Sequence, residues 1–443
     1  MRSAPEQIIT HGRVLRIAIP ILLANVSVPL LGAVDTAVVG QSPGAAPIAA
    51  VGVGAVVISA LYWIFGFLRM GTAGLTAQAQ GAGAQGEIAA LLLRALMIGL
   101  AGGLVLIMLQ AVLFAGAFYL SAASAEVEGL AQEYMRIRIW SAPAAIALYG
   151  VTGWLIALER TRHVLILQLW MNGINMFLDI GFVLGLGWGV EGVALATLIA
   201  EGSALILGLY LCREVFTTVR ARVFDADRLR HMAVVNGDIM IRSLLLQAIF
   251  VSFLLFAGRF GDVPQAANQV LLQFLHIMAY ALDGFAFAAE ALVGQALGAR
   301  AASALRRAVI LTSLWGLICN LVFSLGFALF GGLLIDLITA DHEVREAARA
   351  YLPWMVAAPL IGLGAYMLDG IFIGATRTRD MRNMMALSAA VYFIAAYGLM
   401  AIWGNHGLWA ALLISLITRA VTLAIRYPAL EQQAGLSHGS KIG

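Results

Sequence analysis

The stretch AQGAGA at residues 79–84 returns, only slightly altered, as GQALGA at residues 294–299. Four further pairs of segments follow at nearly the same spacing, about 215–217 residues: Ala142-Pro143 with Ala358-Pro359, 159–162 with 376–379, Gly189 and Gly192 with Gly404 and Gly407, and 47–50 with 264–267. Five matches in the same order indicate an internal repeat, so we expect the two halves of the chain to share one fold.

The segments around this repeat have the composition of membrane-spanning helices. Of the 443 residues, 62% are hydrophobic and 12% are charged, whereas a soluble domain carries about 25% charged residues. A spanning helix needs about 20 mostly apolar residues. Twelve segments satisfy this requirement: 14–39, 48–79, 88–119, 130–157, 164–185, 190–211, 232–258, 265–297, 304–333, 345–373, 383–403 and 407–427. The sequence therefore predicts an all-α integral membrane protein with six spans in each half.

Arginine positions predict the orientation of these spans. The connections after even-numbered spans carry many more arginines than those after odd-numbered spans, and the longest charged connection is residues 213–230. The positive-inside rule then places both termini in the cytoplasm. Because six spans is an even number, the two halves enter the membrane from the same side and form a parallel repeat. We expect an amino-terminal lobe at 1–212, a cytoplasmic linker at 213–230 and a carboxy-terminal lobe at 231–443.

Several classes of function are disfavoured by the same sequence. The arginines are not concentrated in a soluble domain, so nucleic acid is not an expected partner. Cys212 and Cys319 are far apart in apolar runs, which disfavours a disulfide or a cysteine metal site. The sequence contains no nucleotide-binding, serine-hydrolase or histidine metal motif, and we expect no cofactor. The first apolar run is too long for a cleaved signal peptide.

Asp35 is an acidic residue in the middle of the first predicted span. A charge at the centre of a bilayer costs roughly 2.5–3.5 kcal/mol on insertion scales, so it rarely lies there without a function. Asn175 and Asp179 are four residues apart and share one face of the fifth span, together with Asn172. Two neighbouring carboxylates are unfavourable unless they share a proton or a cation. We therefore expect a coupling-ion site that contains Asp35, Asn175 and Asp179.

The second half lacks this acidic site. At the spacing of the repeat, Asp35 corresponds to Ser252, Asn175 to Ala390 and Asp179 to Ile394. The coupling ion is therefore expected mainly in the amino-terminal lobe.

Two prolines, Pro20 and Pro29, lie in the first span, where proline permits a bend. One interpretation is a static bend. The other is that protonation of Asp35 bends this helix toward a substrate cavity.

Charged residues in other spans have two interpretations each. Arg69, which the repeat places opposite Gly284, is expected to pair with Asp283 or Glu290 and form a latch between the lobes, or to be neutralised within its own lobe. Asp369 either helps to bind a cationic substrate or a second proton, or is hydrogen-bonded for structure. Asp238 and Arg242, four residues apart, either pair locally, which is the expectation, or contact the substrate.

Methionine and aromatic side chains adapt to varied apolar ligands and are candidates for a substrate cavity. The candidate cavity residues, with Asn172 and Asp369, are Met171, Met176, Tyr149, Tyr280 and Phe285.

Longer motifs resemble one transporter family along nearly the whole chain. The carriers of the resemblance are residues 28–40, 67–70, 74–79, 238–247, 279–286 and 368–377. They are similar to the multidrug and toxic compound extrusion (MATE) transporters, in particular the DinF subfamily. The resemblance implies a V-shaped pair of six-helix lobes. It also implies export of amphipathic, often cationic compounds against inward H⁺ or Na⁺, by a monomer in the bacterial inner membrane.

The family's amino-lobe cation site matches Asp35, Asn175, Asp179 and, in the sixth span, the hydroxyl of Thr197. The family's second, carboxy-lobe site matches poorly, because Gln247 and Ser252 stand where an acid is expected. Two alternatives remain open: a flippase for lipid-linked precursors of the same superfamily, and an intramembrane aspartyl-type enzyme. Twelve spans and an acidic amino-terminal lobe argue against the flippase, and the sequence around Asp35 and Asp179 argues against the enzyme.

Overall fold

Twelve long apolar helices form the part of the chain that the computed structural model describes, which is residues 8–41, 46–119, 124–217 and 222–435. The helices of the first half are α1 (His11–Val39), α2 (Ala46–Gly81), α3 (Gln85–Tyr119), α4 (Ala125–Ala157), α5 (Thr161–Gly185) and α6 (Gly189–Leu211). Those of the second half are α7 (Ala226–Phe260), α8 (Asp262–Gly298), α9 (Ala302–Ile338), α10 (His342–Gly374), α11 (Thr378–Trp403) and α12 (Asn405–Gly435). Each of the twelve predicted spans lies within one of these helices, which confirms the all-α membrane fold.

Local irregularities occur in four of the long helices, among them α7, which ends in a 3₁₀ turn at Gly258–Phe260. Short 3₁₀ turns interrupt α2 at Ile64–Gly66 and α4 at Ile139–Ser141, and α5 ends in a π-helical segment at Ile180–Gly185. The end of α5 therefore carries an irregular hydrogen-bonding pattern close to Asp179, and such π segments are frequent at functional sites.

Two helix starts, those of α4 and α10, are capped by the side chain of the preceding residue. Asp341 precedes α10 and accepts a hydrogen bond from the backbone N–H of Val344 at 2.9 Å. Side chains of α9 also hydrogen-bond to backbone carbonyls of α10 near Pro359, one of two prolines inside that helix. Asn320 donates to the carbonyl oxygen of Pro359 and Ser324 donates to that of Val356, both at 2.6 Å.

The backbone confirms the internal repeat. Residues with positive φ recur at equivalent turns: Gly83 (68°) with Arg300 (56°), Glu159 (59°) with Thr376 (50°), and Gly189 (55°) with Gly404 (57°). The first two pairs have the same separation along the sequence, and the members of the last pair are slightly closer together. Conformations that side chains rarely adopt therefore occur at the same places in both halves.

Close helix crossings repeat as well. In the first half, a Cβ on Gly153 of α4 would collide with the carbonyl oxygen of Arg69 in α2. In the second half, a Cβ on Gly370 of α10 would collide with the carbonyl oxygen of Ala286 in α8. Gly153 and Gly370 are as far apart along the sequence as Glu159 and Thr376. At this separation Arg69 corresponds to Ala286 and not to Gly284. The sequence comparison had the wrong register here by two residues.

The same register changes the second-half counterparts of the acidic site. Because α5 begins at Thr161 and α11 at Thr378, Asn175 corresponds to Tyr392 and Asp179 to Ala396. Tyr392 is buried beside Ser252, the counterpart of Asp35. Neither revised counterpart is acidic, so the asymmetry between the halves persists.

The chain divides into two compact units. One contains Leu23–Thr76 and Ala84–Leu229, and the other contains Met1–Leu22, Ala77–Gly83 and Arg230–Gly443. The first part of α1 and the end of α2 therefore belong to the unit that is formed mainly by the second half. Within their units, α4, α8, α10 and α12 are mostly buried, whereas α3 and α9 expose apolar side chains along most of their length.

Candidate functional site

The carboxyl groups of Asp35 and Asp179 meet inside the first-half unit. Asp35 lies on α1 and is half-buried, and Asp179 lies on α5 and is fully buried. The two side chains are close enough for a hydrogen bond between them. A carboxylate has no proton to donate, so this bond requires that one of the two groups is protonated. The positions of the two acids thus allow them to share one proton.

Asn175 connects this acid pair to α6. With its amide nitrogen toward the carboxyl groups, Asn175 donates to Asp35 Oδ1 at 3.2 Å and to Asp179 Oδ2 at 3.0 Å. Its carbonyl oxygen then accepts from Thr197, from Oγ1 at 2.9 Å and from the backbone N–H at 3.2 Å. The hydrogen-bonding pattern assigns this orientation of the amide, because the opposite one leaves its oxygen facing acceptors. The four residues predicted as the coupling-ion site are therefore adjacent.

Gln168 on α5 and Ser27 on α1, which the sequence analysis did not single out, both bind Asn172. Gln168 donates to Asn172 Oδ1 at 2.9 Å, and Asn172 donates to Ser27 Oγ on α1 at 2.8 Å. Ser27 in turn donates to the carbonyl oxygen of Ala24. Asn172, predicted as a cavity residue, therefore lies in a hydrogen-bonded chain that joins α5 to α1. Its face of α5, shared with Asp179, was visible in the sequence, but the hydroxyl partner on α1 was not.

A buried ion pair also lies in this unit. Arg138 of α4 and Glu201 of α6 form two parallel hydrogen bonds, at 2.8 and 3.1 Å. Arg138 also donates to Ser141 Oγ at 2.6 Å, and the hydroxyl of Tyr62 donates to the Arg138 carbonyl oxygen at 2.8 Å. Arg138 and Glu201 both lie within predicted spans, and a charge in a span is a signal in the sequence that it has a partner or a function. Their pairing was not apparent, because the partners are 63 residues apart.

Asp369 lies between two arginines in the second-half unit. Arg242 of α7 forms a hydrogen-bonded ion pair with Asp369 Oδ2, and Arg419 of α12 approaches the same oxygen at 3.6 Å. The guanidinium of Arg419 also lies over the ring of Tyr366, 5.5 Å from its centroid. The surroundings of Asp369 thus carry positive charge, because two guanidinium groups approach the same carboxylate oxygen.

The predicted local pair between Asp238 and Arg242 is wrong. Asp238 instead accepts from Arg382 at 2.6 Å and from Thr378 at 3.1 Å, both on α11. Interhelical partners therefore take precedence over the partner one turn away on the same helix.

The latch residues lie in different units. Arg69 is half-buried in the first-half unit, where its charge acts on Tyr149. Asp283 is half-buried and Glu290 is buried in the other unit, and Asp283 acts on Tyr366. The latch stays a prediction.

The remaining cavity candidates are also divided between the units. Met171, Met176 and Tyr149 are half-buried in one unit, whereas Tyr280 is exposed and Phe285 is buried in the other. Pro20 is buried on α1, which continues as a helix through both prolines, and the side chain of Pro29 lies outside the described part of the structure.

The family model MatE matches the chain twice, at residues 20–180 and at residues 239–398. The chain belongs to the MatE family. Its two matches cover more than half of the chain and correspond to the two copies of the repeat. DNA damage-inducible protein F of Escherichia coli (strain K12) is 38% identical over 423 residues, which is 92% of this chain and 90% of that protein. A probable multidrug resistance protein NorM of Synechococcus is 26% identical over 427 residues, 89% of each chain.

Solved MATE structures share this fold. The Vibrio cholerae MATE transporter VcmN in the bent form superimposes with a TM-score of 0.85, at 21% identity over 96% of this chain and 97% of that chain. A multidrug resistance MATE family transporter of the MOP superfamily, in an outward-facing conformation, gives a TM-score of 0.85 at 20% identity over 95% and 97% of the two chains. This MatE family protein is therefore a multi-pass membrane protein whose relatives are transporters.

Proposed function

We propose that this MatE family protein is a secondary active exporter of amphipathic, cationic compounds. The coupling ion, H⁺ or Na⁺, enters from outside and binds at Asp35, Asn175, Asp179 and Thr197. The observation that carries this proposal is that Asn175 donates to both carboxyl groups, which places Asp35 and Asp179 side by side. Such a pair changes its charge by one unit when it gains or loses a proton.

The proposed cycle follows from that change of charge. Substrate binds from the cytoplasm or the inner leaflet while the acid pair is deprotonated. An ion arriving from outside neutralises the pair, and the substrate leaves outward. One elementary charge moving down 100 mV releases about 2.3 kcal/mol, so no nucleotide hydrolysis is needed. Relatives described as multidrug resistance proteins support the substrate class.

The lobes, orientation and oligomeric state are part of the same proposal. We take lobes at 1–212 and 231–443 to alternate access, with the linker at 213–230 and both termini in the cytoplasm of a bacterium, and the monomer as the working unit. Protonation of Asp35 bends α1 in this scheme. Structures solved at acidic and alkaline pH test the bend, and an unmoved α1 with a changed Asp35 protonation state would exclude it.

Reconstituted vesicles separate the proposed function from its alternatives. Efflux of ethidium is measured with a pH gradient alone, with a Na⁺ gradient alone and with neither. We expect efflux with one of the two gradients and its loss in Asp35→Asn, whose side chain keeps its size but cannot ionise. Flipping of a lipid-linked precursor without ion-driven ethidium efflux would support the flippase instead.

A further inference from the structure

The ion pair of Arg138 and Glu201 is almost fully withdrawn from solvent. The exposed fractions of the two side chains are 8% and 14%. A guanidinium and a carboxylate joined by two parallel hydrogen bonds form a rigid and directional pair. Removing one partner of a buried pair is costly, and an apolar pair of the same size would often serve stability as well. Packing between α4 and α6 therefore does not by itself explain why charges are present here.

The position of the pair connects it to the coupling site. Glu201 follows Thr197 by four residues and thus lies on the same face of α6. Thr197 contacts Asn175, which contacts both carboxyl groups. Arg138 is close enough to Asp35 for its charge to act on that carboxyl group. Helix α6 and the contacts of Thr197 thus link the ion pair to the acid pair, and the charge of Arg138 acts on Asp35.

Other ionisable groups surround Asp35, and each has a defined partner. Asp179 of α5 shares its hydrogen bond. Tyr134 of α4 hydrogen-bonds to Arg138 and is influenced by Asp35 and Glu201. Tyr62 of α2 is bound to the Arg138 carbonyl oxygen and lies 3.1 Å from Ser141 Oγ. Among the described groups that act on Asp35, Arg138 supplies the positive charge.

A carrier needs such a charge for a simple reason. Burial disfavours the ionised form of a carboxylic acid, and a neighbouring carboxylate does so as well. A buried acid pair alone would therefore bind its proton firmly and release it poorly. A carrier must release the ion in every cycle, and a nearby fixed cation favours the deprotonated state of the pair.

We propose that the ion pair Arg138–Glu201 is a fixed counter-charge that allows the Asp35–Asp179 pair to release its proton. This inference rests on the proposed function and assigns a positioning role to two residues outside the ion site. Arg138 stabilises the deprotonated acid pair, and Glu201 holds the guanidinium in place and offsets part of its charge. The proton leaves to water, and no covalent bond is formed or broken other than the O–H bond.

Two variants are expected to shift the titration of the site in opposite directions. In Glu201→Gln, Arg138 loses its counter-ion and acts more strongly on Asp35, so the proton leaves at lower pH. In the double variant Arg138→Gln/Glu201→Gln the positive charge is gone, so the proton leaves at higher pH. We expect each midpoint to move by roughly half a pH unit or more, as a nearby unit charge does in a partly buried site. A pair that only joins α4 to α6 would move both midpoints in the same direction or not at all.

The readout is the infrared absorption of protonated carboxyl groups in reconstituted membranes. The component that disappears in Asp35→Asn is followed from acidic to alkaline pH. The surface pair of Arg306 and Glu431 serves as a control, because Arg306→Gln/Glu431→Gln removes the same two charges from the other unit. Its midpoint should equal that of the wild type.

The outcomes distinguish this inference from the proposed function. Opposite shifts support the counter-charge, and ethidium efflux should then reach half of its maximum at correspondingly shifted pH. Unchanged midpoints, or shifts in one direction, would overturn it even if proton-driven efflux is normal. If the wild type shows no ion-driven efflux, the proposed function fails while the titration is still measured. Should Glu201→Gln not fold, the double variant, which leaves no unpaired buried charge, provides the test by itself.

Discussion

Asn175 is the residue that joins the acid pair to the rest of the unit. Its amide nitrogen donates to Asp35 and Asp179, and its carbonyl oxygen accepts from Thr197. One side chain therefore fixes the relative positions of α1, α5 and α6 at the site. A carboxylate could not replace it, because it has no hydrogen to donate to either acid.

We expect Asn175→Ala to lower ion-driven efflux at least about tenfold, since hydrogen bonds to charged groups contribute about 1.5–3 kcal/mol each. Asn172→Ala is the matched comparison one turn earlier on α5. It removes the contact with Ser27 but leaves the acid pair intact, so its effect should be smaller. Initial rates of ethidium efflux from vesicles of equal protein content provide the measurement. Full activity of Asn175→Ala would contradict the role given to this amide.

Cys212 follows the last residue of α6 and is buried, and burial raises the pKa of its thiol to about 12. The reactive form of a cysteine is the thiolate. At a pH well below this pKa of about 12 the thiol stays protonated. Alkylation should therefore be slow at neutral pH, and its rate should still be rising with pH above pH 9.

The experiment uses Cys319→Ser, which leaves Cys212 as the single thiol. Maleimide labelling should be slow in the folded protein and fast after denaturation. Labelling that reaches its full rate near pH 8.5, the usual pKa of a thiol, would contradict the buried environment.

At the scale of helices, the ends of α2 and α8 cross at two glycines. A Cβ on Gly81 would collide with the carbonyl oxygen of Gln295, and a Cβ on Gly298 would collide with that of Gln78. The repeat relates Gly81 to Gly298 and Gln78 to Gln295, so the contact is symmetric in sequence. Gln78 adds a hydrogen bond to the carbonyl oxygen of Gly374 at 3.1 Å.

Gly81→Ala and Gly298→Ala should each destabilise the folded protein by roughly 1–3 kcal/mol, because the backbones must move apart. Gly326→Ala on α9 is the control, since nothing lies within 4 Å of its added Cβ. Its stability should be unchanged or slightly raised. Thermal unfolding of the purified protein in detergent compares the three variants. An unchanged unfolding temperature for both Gly81→Ala and Gly298→Ala would show that this crossing is looser than described.

The positions of the spanning helices were the most predictable feature of this structure. Long apolar segments gave all twelve spans, because a run of about 20 apolar residues has few stable alternatives to a spanning helix. The register of the repeat was less predictable. Alanine and glycine recur so often around residues 79–84 that a shift of two residues changes few matches. The positive φ angles of Gly83 and Arg300 fix the register, and these belong to the backbone and not to the residue types.

Pairing between helices was only partly predictable. Asn175 and Asp179 were found because four residues form one helical turn, and Asp35 because it is a lone acid in an apolar span. Arg138 and Glu201 were missed, because nothing in either helix indicates a partner on another one. The local pair expected between Asp238 and Arg242 is absent because each residue pairs with a partner on another helix, Asp238 with Arg382 and Arg242 with Asp369. The sequence of a single helix does not reveal such partners.

At the scale of the whole molecule, the arginine distribution predicts where the carboxy terminus lies. A green fluorescent protein fused after residue 443 should be fluorescent, and an alkaline phosphatase fused there should be inactive, because the terminus stays in the cytoplasm. Fusions to the connection between α9 and α10, which contains Asp341, should give the opposite pattern and serve as the control. An active phosphatase at the carboxy terminus would reverse the orientation and, with it, the direction of the proposed export.

The central claim is that a cationic substrate binds when the acid pair Asp35–Asp179 has lost its coupling ion. With H⁺ as that ion, binding of the substrate releases a proton. The most direct test is the number of protons released when ethidium binds to the purified transporter, obtained by calorimetry in buffers of different ionisation enthalpy. Because binding and proton release are linked, we expect close to one proton per ethidium for the wild type and none for Asp35→Asn. Equal release by both proteins, or none by the wild type, would contradict the account.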